Sequence, residues 1–158
     1  MVVTMKKNGV ACAIDVNDFD QEVIDSAGAF AKQIGVDLDL VHVSLFPNPG
    51  EAVLPGYLGS PNVIIQDNRR FRQVTTNVEG VNINLHHLSG IPTDKILTFI
   101  DKYEPQLLVL GTHGRSGLSR IFGSVAAKIL RRASCPVMVL RQRQNSQDFA
   151  DLKNEEAR

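Results

Sequence analysis

The chain has 158 residues, 43% of them hydrophobic and 22% charged, which fits one globular domain with a single core and excludes disordered, collagen-like and coiled-coil classes. The 17 Lys plus Arg cancel the 17 Asp plus Glu, so no overall field draws the protein to nucleic acid or to a membrane surface, and any anion site must be local. No apolar run reaches the roughly 18 to 20 residues that span a bilayer, and Met1 to Lys7 lacks a signal-peptide core, which predicts a cytoplasmic protein.

Val10 to Ile14, between Gly9 and Asp15, reads as a buried first strand. Asn17 or Asp18 can cap a helix whose apolar positions Phe19, Val23, Ala27, Phe30 or Ala31, and Ile34 recur at three- and four-residue spacing until Gly35 ends it. Leu38 to Leu45 follows as the second strand, apolar on both faces. Phe46 to Pro61 holds seven Gly or Pro in sixteen residues, which predicts a long, mobile loop. Asn62 can cap a second helix to about Val78, and Val81, Ile83 and Leu85 then alternate with Asn82, Asn84 and His86 as a third strand with one wetter face, near a sheet edge.

After the turn Gly90-Ile91-Pro92, Thr93 caps a third helix through Ile96, Leu97, Ile100 and Tyr103, stopped by Pro105. Gln106 to Leu110 is the fourth strand, with four consecutive branched apolar residues that belong in mid-sheet. A glycine-rich loop runs from Gly111 to Gly123. Ser124 can cap a fourth helix carrying Ala126, Ile129, Leu130 and Ala133, and Pro136 opens the fifth strand, Val137 to Leu140. Residues 142–158 read as a polar, frayed tail, leaving residues 1–141 as the domain. Strands alternating with helices predict an α/β domain, a doubly wound parallel sheet with helices on both faces. Ligands of such sheets sit outside the carboxyl ends of the strands where the winding reverses, which would bring Asp15 and Gly111 to one crevice.

The segment Gly111 to Ser124 leaves a buried strand and enters a helix, where backbone N–H groups are unpaired and the helix dipole is positive. Glycines there allow the backbone to approach phosphate oxygens, Ser124 adds a hydroxyl, and Arg115 or Arg120 adds charge; a loop that only needs glycines to turn is the plainer alternative. Seven bases and no acid lie between Glu104 and Asp148; Arg131, Arg132, Arg141 and Arg143 read as solvated helix and tail charges, whereas Arg115 and Arg120 lie among glycines and suit a local anion site. The chain has no G-x-x-x-x-G-K-[ST] and no G-x-G-x-x-G after the first strand, so neither a P-loop enzyme nor a dinucleotide dehydrogenase is indicated.

The stretch "LLVLGTHGRSGLSRIFGSVAAKILRRASCPVMVLR", with "ACAIDVN", "LVHV" and "SGIP" before it, resembles the universal stress protein family from about Gly9 to Arg141. The resemblance implies a Rossmann-like five-stranded parallel sheet of order 3-2-1-4-5 and ATP binding, with Mg²⁺ accompanying the phosphates. Carried over by position, it implies that Asp15 contacts the ribose or adenine side, with Ala13 where many members have proline, and that Val43 meets the adenine edge through its backbone. Leu110, Gly111 and Gly114 would border ribose and phosphates, and Gly123, Ser124 and Val125 would hold the β and γ phosphates. The family pattern is G-x2-G-x9-G-[ST], whereas eight residues, Arg115 to Phe122, separate Gly114 from Gly123 here, so the loop is one residue short.

Other candidates have plainer readings. Cys12 and Cys135 read as small buried hydrophobes, and His42 as structural. His86 and His87 must point to opposite faces of their strand and cannot share a metal. His113 reads as an exposed loop histidine, and Ser116 and Ser119 are candidate phosphorylation sites. No set of nucleophile, base and orienting group is visible, so slow ATP hydrolysis is the most expected. The apolar fifth strand, Val137 to Leu140, predicts a homodimer through that edge. The expected protein is a dimeric stress- or nucleotide-responsive regulator acting on a client protein; the alternative is a dimeric interaction module of the same fold that holds no nucleotide.

Overall fold

The computed structural model describes residues 8–15, 21–44, 69–74, 76–112 and 124–141. The loop expected over 46–61, the tail, and His113, Ser116 and Ser119 lie outside them. Among the described residues, the elements of five or more residues are, in chain order, β1 (Val10–Ile14), α1 (Gln21–Ile34), β2 (Leu38–Ser44), β3 (Ile83–Ser89), α2 (Pro92–Tyr103), β4 (Leu107–Thr112), α3 (Ser124–Arg132) and β5 (Val137–Arg141). All neighbouring strands pair in parallel, in the order β3-β2-β1-β4-β5. The expected doubly wound sheet is therefore present, with the winding reversing between β1 and β4.

Side-chain alternation divides the core into two layers. Val10, Cys12, Leu38, Leu40 and Val109 face α1, whose Val23, Ile24, Ala27 and Ala31 are buried against them. Ala11, Val41, Leu108 and Leu110 face α2 and α3, which supply Ile96, Leu97, Phe99, Ile100, Ala126 and Ile129. Cys12 lies in the first layer and Cys135 packs against the second, so the sheet separates the two free thiols. Burial pushes the Cys12 thiol up to about 12.

Helix α1 stops where predicted: Gly35 takes φ 70°, its N–H donates to Lys32 O, and the Val36 N–H reaches back to Ala31 O. The amino ends of β1 and β4 are laced together by Gln106 N–H to Gly9 O at 3.0 Å, Gln106 Nε2 to Asn8 O at 2.8 Å and Asn8 Nδ2 to Glu104 O at 2.8 Å.

Several boundaries differ from the sequence expectation. Residues 69–72 are helical, but the helix expected to reach Val78 ends there in a turn. The third strand begins at Ile83 rather than Val81 and continues to Ser89. Thr93 does not cap α2: Ile91 holds the cap position with no side-chain bond, Pro92 supplies the first helical φ, and Thr93 is buried inside the first turn. Strand β4 starts at Leu107 and extends through Gly111 and Thr112, residues expected to belong to the loop. Leu130, expected on the buried stripe of the last helix, is 41% exposed. His86 and His87 do face opposite layers: His86 packs edge-on against Phe99 and Tyr103, and His87 lies among His42 and Phe71.

Candidate functional site

The carboxyl ends of β1 and β4 lie side by side at the winding reversal, with Ala13 opposite Leu110 in register. On its other side Ala13 is opposite Val41 of β2. Chain direction then diverges: residues after β1 lead to α1 on one face, and residues after β4 lead to α3 on the other. In open α/β sheets such a split at the winding reversal marks the standard ligand position, above the carboxyl ends of the strands.

Four of the sequence-derived site residues share one apolar surface. Leu110 is buried in the layer facing α2 and α3, and Ala13, Val43 and Val125 are partly buried against that same layer. Asp15 is exposed immediately beyond β1, at the rim. Ser124 is exposed as the first residue of α3. The first turn of that helix carries no acidic residue of its own, while its last turn carries Arg131 and Arg132, so the helix itself supplies no carboxylate at its positive end. Gly114, Arg115 and Gly123 lie outside the described residues.

Gly111 is half-buried, and a Cβ placed on it would come within 3.2 Å of Val23 Cγ2 on α1. A side chain there would push against the first helix, so this glycine has a packing reason independent of any ligand.

The strand ends also hold a residue whose part in the site was not evident from sequence. His42 is 4% exposed, and its Nδ1 lies 3.1 Å from the carbonyl oxygen of Ile14, the residue before Asp15. A carbonyl can only accept, so Nδ1 carries the proton. The ring is stacked on His87 at 5.4 Å and 3° and tilted against Phe71 at 5.6 Å. A polar residue breaking the apolar run of a central strand was the available signal. Among the described residues, no group of three His, Cys, Asp or Glu side chains could hold a metal ion, and no helix is long and apolar enough to cross a membrane.

Residues 8–141 match the family model of the universal stress protein family. Universal stress protein A homolog 1 of Coxiella burnetii is 32% identical over 135 residues, 83% of this chain and 94% of the relative. A universal stress protein structure from Archaeoglobus fulgidus superposes with a TM-score of 0.65 at 25% identity, covering 84% of this chain and 97% of that one. The Archaeoglobus fulgidus structure in complex with dAMP gives 0.59 at 24% identity, with 85% and 98% covered.

Proposed function

The chain belongs to the universal stress protein family, and we propose that it binds ATP, with Mg²⁺ accompanying the phosphates, above the carboxyl ends of β1 and β4. One observation carries this reading: Ala13, Val43, Leu110 and Val125 belong to one apolar layer, an exposed carboxylate, Asp15, directly follows β1, and α3 starts at Ser124 with no acidic residue in its first turn. An apolar floor suits a purine, a carboxylate accepts hydrogen bonds from ribose hydroxyls, and a helix start suits phosphate oxygens. The dAMP complex of the Archaeoglobus protein supports a nucleotide as the ligand class for this fold.

In this reading Asp15 takes the ribose, the Val43 backbone meets the adenine edge, and Leu110 and Gly111 border the sugar. Gly114, Arg115, Gly123, Ser124 and Val125 hold the phosphates. Bound Mg²⁺ would neutralise phosphate charge. Binding, with at most slow hydrolysis, is the activity, and the protein reports nucleotide or stress state to a client protein from the cytoplasm. Residues 1–141 form the nucleotide-binding domain and 142–158 its tail. The half-exposed edge strand β5, with Val137, Met138, Val139 and Leu140, supports a homodimer through that edge.

The test is calorimetric titration with MgATP after stripping co-purified nucleotide. The expected result is saturable binding of one ATP per chain, weakened in Gly114→Val. No heat at millimolar ATP would favour the second reading, a dimeric interaction module without nucleotide, which the loop shortened by one residue supports.

A further inference from the structure

We infer that His42 is a positioning residue of the nucleotide site, acting through the carbonyl of Ile14 to fix where Asp15 stands. This inference rests on the proposed nucleotide reading. Ile14 is opposite His42 in the β1–β2 register, and it is the last residue of β1 before the chain leaves the sheet. At that point the exit of the chain is held by a side chain: His42 Nδ1–H donates to Ile14 O at 3.1 Å. The next residue is Asp15. Anchoring the Ile14 carbonyl orients the peptide plane that joins Ile14 to Asp15, and so the direction in which the Asp15 carboxylate departs.

The imidazole is packed in a cluster of three rings, stacked on His87 at 5.4 Å and tilted against Phe71 at 5.6 Å, with those two rings themselves 5.9 Å apart. Its rotamer is therefore set by packing, as a supporting residue requires. Packing alone does not call for a histidine. With Nδ1 protonated, Nε2 carries a buried lone pair that has no hydrogen-bond partner among the described residues, a liability that a phenyl ring of similar shape would remove. What the phenyl ring could not supply is the donor to Ile14.

The experiment compares wild type, His42→Phe, His42→Asn, Asp15→Asn and the double variant His42→Phe/Asp15→Asn, each titrated with MgATP and with Mg-2′,3′-dideoxy-ATP, with urea unfolding run in parallel. Wild type is expected to prefer ATP over the dideoxy analogue. His42→Phe should bind ATP about five- to tenfold more weakly and lose that preference, the size expected for one misplaced hydrogen bond, while remaining at least as stable to urea. His42→Asn, whose Nδ2 occupies the place of the imidazole Nδ1, should recover part of the preference. The double variant should bind no more weakly than Asp15→Asn, because His42 acts through Asp15.

A His42→Phe protein with wild-type affinity and preference overturns the inference, as does a double variant in which the two losses add. Loss of stability in His42→Asn leaves the comparison of the double variant with Asp15→Asn to decide. If wild type binds ATP without preferring it over the dideoxy analogue, the role through Asp15 fails while the nucleotide reading survives. If wild type binds neither nucleotide, the nucleotide reading fails and takes the inference with it.

Discussion

The Asp25 carboxylate on α1 accepts both the backbone N–H of Asn77, at 2.7 Å, and its side-chain amide, at 2.8 Å. Thr76 Oγ1 and Gln21 Nε2 each donate to the same carboxylate at 3.0 Å. One side chain thereby ties the segment that leads into β3 onto the first helix.

Burial alone would raise the Asp25 carboxyl, but the bonds from the Asn77 backbone, Gln21, the Asn77 side chain and Thr76 outweigh it and hold the group below its ordinary 3.8. A lowered folded-state value contributes stability that is present above the ordinary value and lost as pH falls through the folded one. Asp25→Ala is expected to cost about 1 to 2 kcal/mol at pH 7 by urea unfolding. The difference between wild type and variant should shrink as pH falls below about 4; a difference independent of pH would show that the charge is not what holds the segment.

Gly111 and Val23 should be coupled. Gly111→Ala brings a methyl group to within 3.2 Å of Val23 Cγ2, so a cost of about 1 kcal/mol is expected, and Val23→Ala should relieve part of it. A double-mutant cycle by denaturant unfolding reads the coupling, and strict additivity would remove the packing explanation for this glycine.

Glu104 closes α2 in the left-handed region at φ 45°, with its N–H donating to Ile100 O at 2.8 Å. A side chain in that conformation is strained and a glycine is not. Glu104→Gly is expected to raise stability by about 0.5 to 1 kcal/mol, measured as a higher urea midpoint.

The two thiols should react in sequence. Cys135 is half-buried and Cys12 fully buried, and the Cys12 thiol is pushed up to about 12. Ellman's reagent is expected to modify Cys135 first and Cys12 only at the rate of unfolding. Equal rates in native buffer would contradict the buried placement of Cys12.

A charge in the last strand should dissolve the proposed dimer. Met138→Lys is expected to give a monomer by light scattering at micromolar concentration, with urea stability of the isolated fold changed little. A wild-type protein that is already monomeric would refute the dimer.

The strands were legible wherever their own composition decided the outcome. Leu107 to Leu110 is apolar throughout because β4 is covered on both faces, and Asn84 and His86 alternate with Ile83 and Leu85 because β3 is an edge. What the sequence concealed depends on partners far along the chain. The pattern after Asn62 extends a helix to Val78, yet Thr76 and Asn77 are held by Asp25, some fifty residues earlier, and no local pattern in 62–78 reports that. Thr93 resembles a cap, yet Pro92 already begins the helix and the hydroxyl is buried. In the candidate site, the shared layer of Ala13, Val43 and Leu110 follows from strand parity once the strand order is known. The hold of His42 on Ile14 does not, since it requires the β1–β2 register.

The two margins of the sheet are chemically unlike. On β3, Asn84 Nδ2 and His86 Nε2 both turn inward to Asp39 Oδ1, at 3.1 and 2.8 Å, whereas β5 offers a run of four apolar side chains. Margins that differ in this way do not match each other head to tail, and head-to-tail matching is what lets sheets concatenate into fibres. Two copies joined β5 to β5 would each present only a β3 margin outward, so the unlike margins make growth beyond a pair self-terminating.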